Sequence, residues 1–221
     1  MSFFSWFGKI FGSKEVQKKD IYSLSQNSID LIIKYEIGDK DYYNKFLKRP
    51  TWPKAASGVT IGIGYDLGYN SKSTVEKDWG EFISDGEMQR LLGVVGIKGK
   101  SAESYVDKVK DIVISWDAAI KVFEETTLIK FIDYTLKAFP KSEELHPDAF
   151  GALVSIVFNR GASMKGSTRE EMRRIRALVP QKDYQGIADE IRSMKRLWAN
   201  KGLQGLLKRR EAEAKLVESC I

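Results

Sequence analysis

The stretch Ser57-Gly-Val-Thr-Ile-Gly-Ile-Gly-Tyr-Asp-Leu-Gly68 decides how the chain is read. Val59, Ile61, Ile63 and Tyr65 alternate with Thr60, Gly62, Gly64 and Asp66, a period of two that predicts β structure with one apolar face. The other face carries a hydroxyl, two bare backbone positions and a carboxylate. As one straight strand, residues 60 and 66 would lie roughly 20 Å apart at about 3.3 Å per residue, too far for a single site. If the chain reverses at Gly62-Ile63-Gly64, they become cross-strand partners with Cβ atoms about 5 Å apart. Glycine reaches positive φ without steric cost, and two glycines around one residue suit a tight reversal. The reading adopted is the hairpin, with Thr60 and Asp66 side by side.

Glu36 is the second element. The run Ser28-Ile-Asp-Leu-Ile-Ile-Lys-Tyr-Glu36 has helical spacing at 29, 32 and 33 after a capping Asn27 or Ser28. Glu36 follows Ile32 by four and Ile33 by three, which extends the core-facing stripe and aims the carboxylate from the helix end into a cleft. Partial desolvation and the negative helix end would both favour the protonated acid. Such an acid can protonate a leaving glycosidic oxygen. Asp66 would then orient a water or stabilise an oxocarbenium charge, with Thr60 positioning the water.

Glu36, followed 24 residues later by Thr60 of Thr-Ile-Gly-Ile-Gly-Tyr-Asp66, resembles the muramidase domain of pesticin and its relatives. Those are similar in turn to the phage lysozymes of glycoside hydrolase family 24. Ser155-Ile-Val-Phe-Asn-Arg-Gly161 resembles the family's core helix, and Gly205-Leu-Leu-Lys-Arg-Arg-Glu-Ala-Glu-Ala-Lys-Leu216 its last helix with an Arg-Arg-x-x-Glu pattern. The resemblance implies an α+β, mostly α, bilobal lysozyme-like fold, with a small hairpin lobe at Thr60–Asp66 and a larger helical lobe. It implies cleavage of the β-1,4 bond between N-acetylmuramic acid and N-acetylglucosamine in peptidoglycan. Carried over, Glu36 is the general acid, and Thr60 and Asp66 hold the water. Phage lysozymes place the aspartate before the threonine. Asp39 and Asp41 lie in that interval outside any matching local motif, so Asp66 is preferred.

Composition sets the bounds. The chain has 221 residues, 43% of them hydrophobic, which suffices for one large core or two smaller lobes. A single cysteine, Cys220, excludes an intramolecular disulfide. With one histidine, His146, a metal site would have to be all-carboxylate, so neither metal nor cofactor is expected. His146 lacks a nucleophile-elbow signature for Ser-His or Cys-His chemistry. In the first fourteen residues, Phe3, Phe4, Phe7, Ile10 and Phe11 form an aromatic helical stripe. It is not a cleavable secretory signal and is too short to span a bilayer. Three uses remain open: packing on the main domain, docking on delivery machinery or a chaperone, and contact of residues 3–11 with a membrane interface. Residues 1–20 are read as this segment plus a linker, and 21–221 as the lysozyme-like domain.

Aromatic residues crowd the segment between Glu36 and Thr60. Tyr42, Tyr43 and Trp52 lie in a stretch broken by Pro50 and Pro53, where they either stack on sugar or pin a loop. Tyr65, Trp52, Asn159 and Arg160 are the candidate substrate contacts. Capping boxes are expected at Ser84–Glu87 and Thr168–Glu171. A long helix is expected from Ser115 to Phe139, a buried central helix from Pro147 to Phe158, and amphipathic helices over 183–199 and 203–219. Between Arg192 and Arg210 lie seven Lys or Arg and no acidic residue, and the net charge is +6. That face either steers the protein to an anionic envelope or is simply solvated, and no nucleic-acid motif accompanies it. Arg209 or Arg210 with Glu213 reads as a structural clasp.

The expected protein is thus a monomeric glycoside hydrolase, made in the cytoplasm without a cleavable signal. It would reach the cell wall or periplasm by holin-dependent release or secretion-system delivery, as an endolysin or an antibacterial effector, with an immunity protein as a possible partner. A catalytically idle lysozyme-fold module and a lytic transglycosylase are the alternatives. The first needs no acid at Glu36, and the second needs no water-positioning carboxylate at Asp66.

Overall fold

The computed structural model describes residues 24–221. The aromatic stripe at residues 3–11 and its linker fall outside the described residues. The described chain is mostly helical with one two-stranded antiparallel sheet, and it divides into two compact units, 36–130 and 24–35 with 131–221.

Helix α1 (Gln26–Ile37) opens the described chain. Its cap is Ser25, whose Oγ accepts from the Ser28 amide at 3.1 Å. The helix therefore starts ahead of the expected Asn27 or Ser28, because Ser28 is fully buried and used for packing instead. The buried stripe is Ser28, Ile32, Ile33 and Ile37. Glu36 is exposed rather than part of that stripe, since Ile37 takes the inward position next to it.

In the 36–130 unit, α2 (Lys40–Phe46) replaces the expected loop. Asp39 caps it, accepting from the Tyr42 amide at 2.8 Å. Strands β1 (Thr60–Ile61) and β2 (Tyr65–Asp66) follow. They pair in the predicted register, Thr60 opposite Asp66 and Ile61 opposite Tyr65. Gly62 and Gly64 make the reversal at φ +55° and +69°. Val59, Ile61, Ile63 and Tyr65 all point into the core. Thr60 also exchanges two backbone bonds with Thr51, at 2.8 and 2.9 Å, so a third short segment flanks the hairpin.

Helices α3 (Lys72–Trp79), α4 (Asp85–Leu92), α5 (Lys100–Val106) and α6 (Trp116–Val122) complete the unit. Helix α3 packs on α4 and α6, and α2 on α6. At α4 the capping box closes side chain to side chain, Ser84 Oγ donating to Glu87 at 2.5 Å. The long helix expected from Ser115 is interrupted by a π-helical stretch at Phe123–Leu128 before α7 (Ile129–Ala138). There Thr126 Oγ1 donates to the Val122 carbonyl at 2.6 Å, a back-bond of the kind that disturbs the regular helical ladder.

The other unit is built around α8 (Pro147–Arg160), which is buried from Asp148 to Val157. Gly151 lets α1 approach closely: a Cβ there would fall 2.0 Å from the Ser28 Cβ. Around α8 stand α9 (Glu170–Leu178), α10 (Tyr184–Ser193) and α11 (Gln204–Glu218). The Thr168–Glu171 capping box does not form, because Glu171 is fully buried and receives the Arg196 guanidinium.

The expected clasp is present and buried. Glu213 Oε1 accepts from Ser155 Oγ at 2.6 Å, Arg209 Nε at 3.2 Å and Arg210 Nη2 at 2.7 Å. Arg210 Nε lies 2.7 Å from the other oxygen as an ion pair without a directed hydrogen bond. Burial pulls the Arg210 pKa down and Glu213 opposes that pull. Removing one partner of such a pair leaves an uncompensated buried charge. Glu213→Ala is therefore expected to cost about 3–5 kcal/mol, read as a fall in the urea midpoint.

Candidate functional site

Within the 36–130 unit, Glu36 and Thr60 line one cavity of about 400 Å³. Its remaining wall comes from Gly38, Tyr42, Thr51, Pro53, Gly62 and Gly64, with Ile37 and Leu47 beneath. Two of the three residues predicted to perform chemistry thus face the same space. The glycines leave the hairpin side of it without side-chain bulk. A Cβ at Gly64 would meet nothing within 4 Å, whereas one at Gly62 would press on Trp79 Cη2 at 2.7 Å.

Asp66 sits beside Thr60 by register but does not line the cavity. Its carboxylate turns to the backbone. Oδ1 and Oδ2 accept from the Gly58 amide at 3.0 and 3.1 Å, and Oδ1 accepts from Gly68 at 2.8 Å. Gly58 and Gly68 touch so closely that a Cβ on Gly58 would lie 2.5 Å from Gly68 Cα and 2.6 Å from Asp66 Oδ1. Asp39 caps α2, as described, and Asp41 is an exposed first-turn residue of the same helix.

The predicted substrate contacts divide. Tyr65 is buried, donates to Asp78 Oδ2 at 2.7 Å and meets Trp79 edge-on at 5.5 Å. Burial, reinforced by that bond, pushes its phenol pKa far up. It is a core tether and does not reach the cavity. Trp52 is half-buried and donates to the Ser57 carbonyl at 3.0 Å, so it pins its loop. Asn159 and Arg160 belong to the other unit, where they line a second cavity. Asn159 does not cap α8, since Gly161 at φ +75° does.

Of the three aromatic residues Tyr42, Tyr43 and Trp52, Tyr42 lines the cavity. Asp39 fixes the phase of α2, which sends Tyr43 inward, fully buried and donating to the Ile114 carbonyl at 3.1 Å. The same phase leaves Tyr42 half-exposed on the cavity, 4.8 Å from the Phe46 ring. Thr51 and Pro53 reach the cavity through the bridge to Thr60, which no periodic pattern announces.

One grouping among the described residues has metal-ligand chemistry: His146, Asp148 and Cys220, with donor atoms within 4.8 Å of one another. The expectation that any metal set would be all-carboxylate therefore missed a mixed set brought together by α8 and the end of α11. In the structure His146 caps α8, its Nδ1 accepting from the Asp148 amide at 3.3 Å, and the same nitrogen lies 3.4 Å from Cys220 Sγ and 3.7 Å from Asp148 Oδ2.

A family model described as "Domain of unknown function (DUF8812)" matches residues 32–137. No curated protein matches the chain. The matched span contains Glu36, Thr60, Asp66 and the whole first cavity, and it stops short of Asn159 and Arg160.

Two substitutions separate the roles of the reversal's glycines. Gly62→Ala meets both the left-handed φ and the buried Trp79, and is expected to cost about 2–5 kcal/mol. Gly64→Ala meets only the φ, for about 1–2 kcal/mol. Chemical denaturation of the two variants checks the order. Tyr65→Phe should lose about 1 kcal/mol with its hydrogen bond and leave ligand affinity at the cavity unchanged, measured by calorimetry.

Proposed function

We propose that the protein is a muramidase with a lysozyme-like, bilobal fold, acting on bacterial peptidoglycan. The observation that carries the reading is the convergence of Glu36 and Thr60 on one glycine-walled cavity, with Thr60 paired to Asp66. A carboxyl at a helix end, lining the same cavity as a hydroxyl and open backbone, is placed where a glycosidic oxygen could enter. Glu36 would donate its proton to the leaving oxygen as the sugar C1–O bond breaks. A water held by the Thr60 hydroxyl would attack C1, its proton released to solvent, and give a reducing N-acetylmuramic acid end. Tyr42, half-exposed on the rim, supplies a ring face for a sugar. Asp66 contributes negative charge beside Thr60 and fixes the loop that presents it.

The orientation of Asp66 favours a second reading. A carboxylate already taken up by the Gly58 and Gly68 amides is poorly placed to activate water. A lytic transglycosylase needs the acid alone: Glu36 would protonate the leaving N-acetylglucosamine oxygen as the C1–O bond breaks, the muramic C6 hydroxyl would attack C1 and return its proton to the carboxylate, and a 1,6-anhydro end would form. Delivery to the wall, as an endolysin or as an effector with an immunity partner, belongs to the same proposal.

Purified protein incubated with bacterial sacculi, with released fragments read by mass spectrometry, tests both. Reducing muramic ends, with the rate reduced at least ~100-fold in Glu36→Gln, are the expected result. Anhydro ends would establish the transglycosylase, and sacculus binding without release would leave a binding module. Asp66→Asn distinguishes the roles of that residue. A large loss of turnover at unchanged melting temperature means water activation, and a parallel loss of stability means anchoring.

A further inference from the structure

The second cavity, about 590 Å³ at the C-terminal end of α8, has an unusual charge balance. Its charged lining residues are Arg160, Arg169, Arg196 and Lys201, without a carboxylate among them. Arg196 is neutralised, pairing with Glu171 and with Glu170 at 3.6 Å. The other three are not. Arg160 donates through Nη2 to the Thr168 carbonyl, and its Nη1 is buried with no hydrogen-bond partner. Arg169 donates to the Arg160 carbonyl and to Met172 Sδ at 3.4 Å. Lys201 donates to the Leu197 carbonyl at 2.8 Å. All their acceptors are neutral.

The surroundings reinforce the excess. Glu171 is consumed by Arg196, and Glu213 already serves both Arg209 and Arg210. Arg160 shows the result. Desolvation first, then repulsion from Arg169 and Arg210, lowers its pKa to about 10, although Glu171 and Glu213 pull the other way. The Arg160 guanidinium lies 5.0 Å from the centroid of the Trp198 ring, which holds it in place and walls the cavity. The basic run from Arg192 to Arg210 looked in sequence like a broad steering face. Five of its seven cations (Arg192, Lys195, Arg196, Arg209 and Arg210) are spent on internal ion pairs. Of the remaining two, Lys201 lines the cavity, where it joins Arg160 and Arg169.

We propose that this cavity binds a small oxyanion, a carboxylate or a phosphate, through Arg160, Arg169 and Lys201, with Trp198 as its wall. Planar guanidinium forks match anions that offer several oxygens and discriminate against a spherical halide. The inference stands apart from the chemistry at Glu36, because the two cavities share no residue.

The test is a calorimetric titration of the full chain with inorganic phosphate at low ionic strength, beside sodium chloride. Saturable phosphate binding is expected, weakened about tenfold by Arg160→Gln, in line with loss of a charge-assisted contact. Lys201→Ala, at an exposed position, guards against a folding defect. It should weaken binding while the thermal melt stays unchanged. Glycerol 3-phosphate and N-acetyl-D-alanine, titrated separately, distinguish a phosphate from a carboxylate ligand, and saturable binding of either supports the site. Heats equal to those of chloride for every anion, or affinity unchanged in both variants, would overturn it.

Discussion

The carboxylate of Asp66 ties three parts of the 36–130 unit into one geometry. By accepting from the amides of Gly58 and Gly68 it closes the chain before β1 onto the chain after β2, so the hairpin cannot open without breaking those bonds. The hairpin wall of the first cavity follows from that closure. Thr60 is held in register with Asp66 on one side and with Thr51 on the other. Gly62 rests against Trp79, which in turn receives the edge of Tyr65. A side chain that a chemist would first assign to catalysis is thus the fastener of the site, and any chemical role it has must operate from that fixed position.

Much of this was legible in the sequence, for identifiable reasons. The period-two alternation and the Gly-Ile-Gly reversal left a single economical geometry for residues 60 and 66, and the hairpin has it. The apolar run after Pro147 pointed to a buried helix, and Arg209 or Arg210 with Glu213 to a structural clasp, though not to its burial. What escaped was set by local competition. Asp39 drew the chain into α2 where two prolines further on suggested a loop, and this separated Tyr42 from Tyr43. Glu171 turned inward to Arg196 and abandoned the cap its spacing advertised. Glu36 yielded the inward position to Ile37, a choice between neighbours that a helical wheel does not resolve. The direction of the Asp66 carboxylate depended on glycine amides eight and two residues away, which no periodicity encodes.

The two cavities differ in what organises them. The first is shaped by backbone: glycines, a bridge and a reversal leave room beside a single acid. The second is shaped by charge, being the place where paired arginines run out of partners. In the 24–35 and 131–221 unit, ion pairs among α9, α10 and α11 occupy several of the arginines, so a basic run in the sequence is a poor guide to the cations left open to a partner. Arg209 and Arg210 illustrate the rule, since both are buried and neither is available to an external partner.

Gly58, Asp66 and Gly68 occupy one another's volume, and this has a consequence for descent as well as for folding. A methyl group at either glycine would collide with the other's backbone, and a longer acid at 66 would have to push both apart. No member of the trio can therefore drift alone. Among sequences sharing this fold the three should be inherited as one block or replaced together.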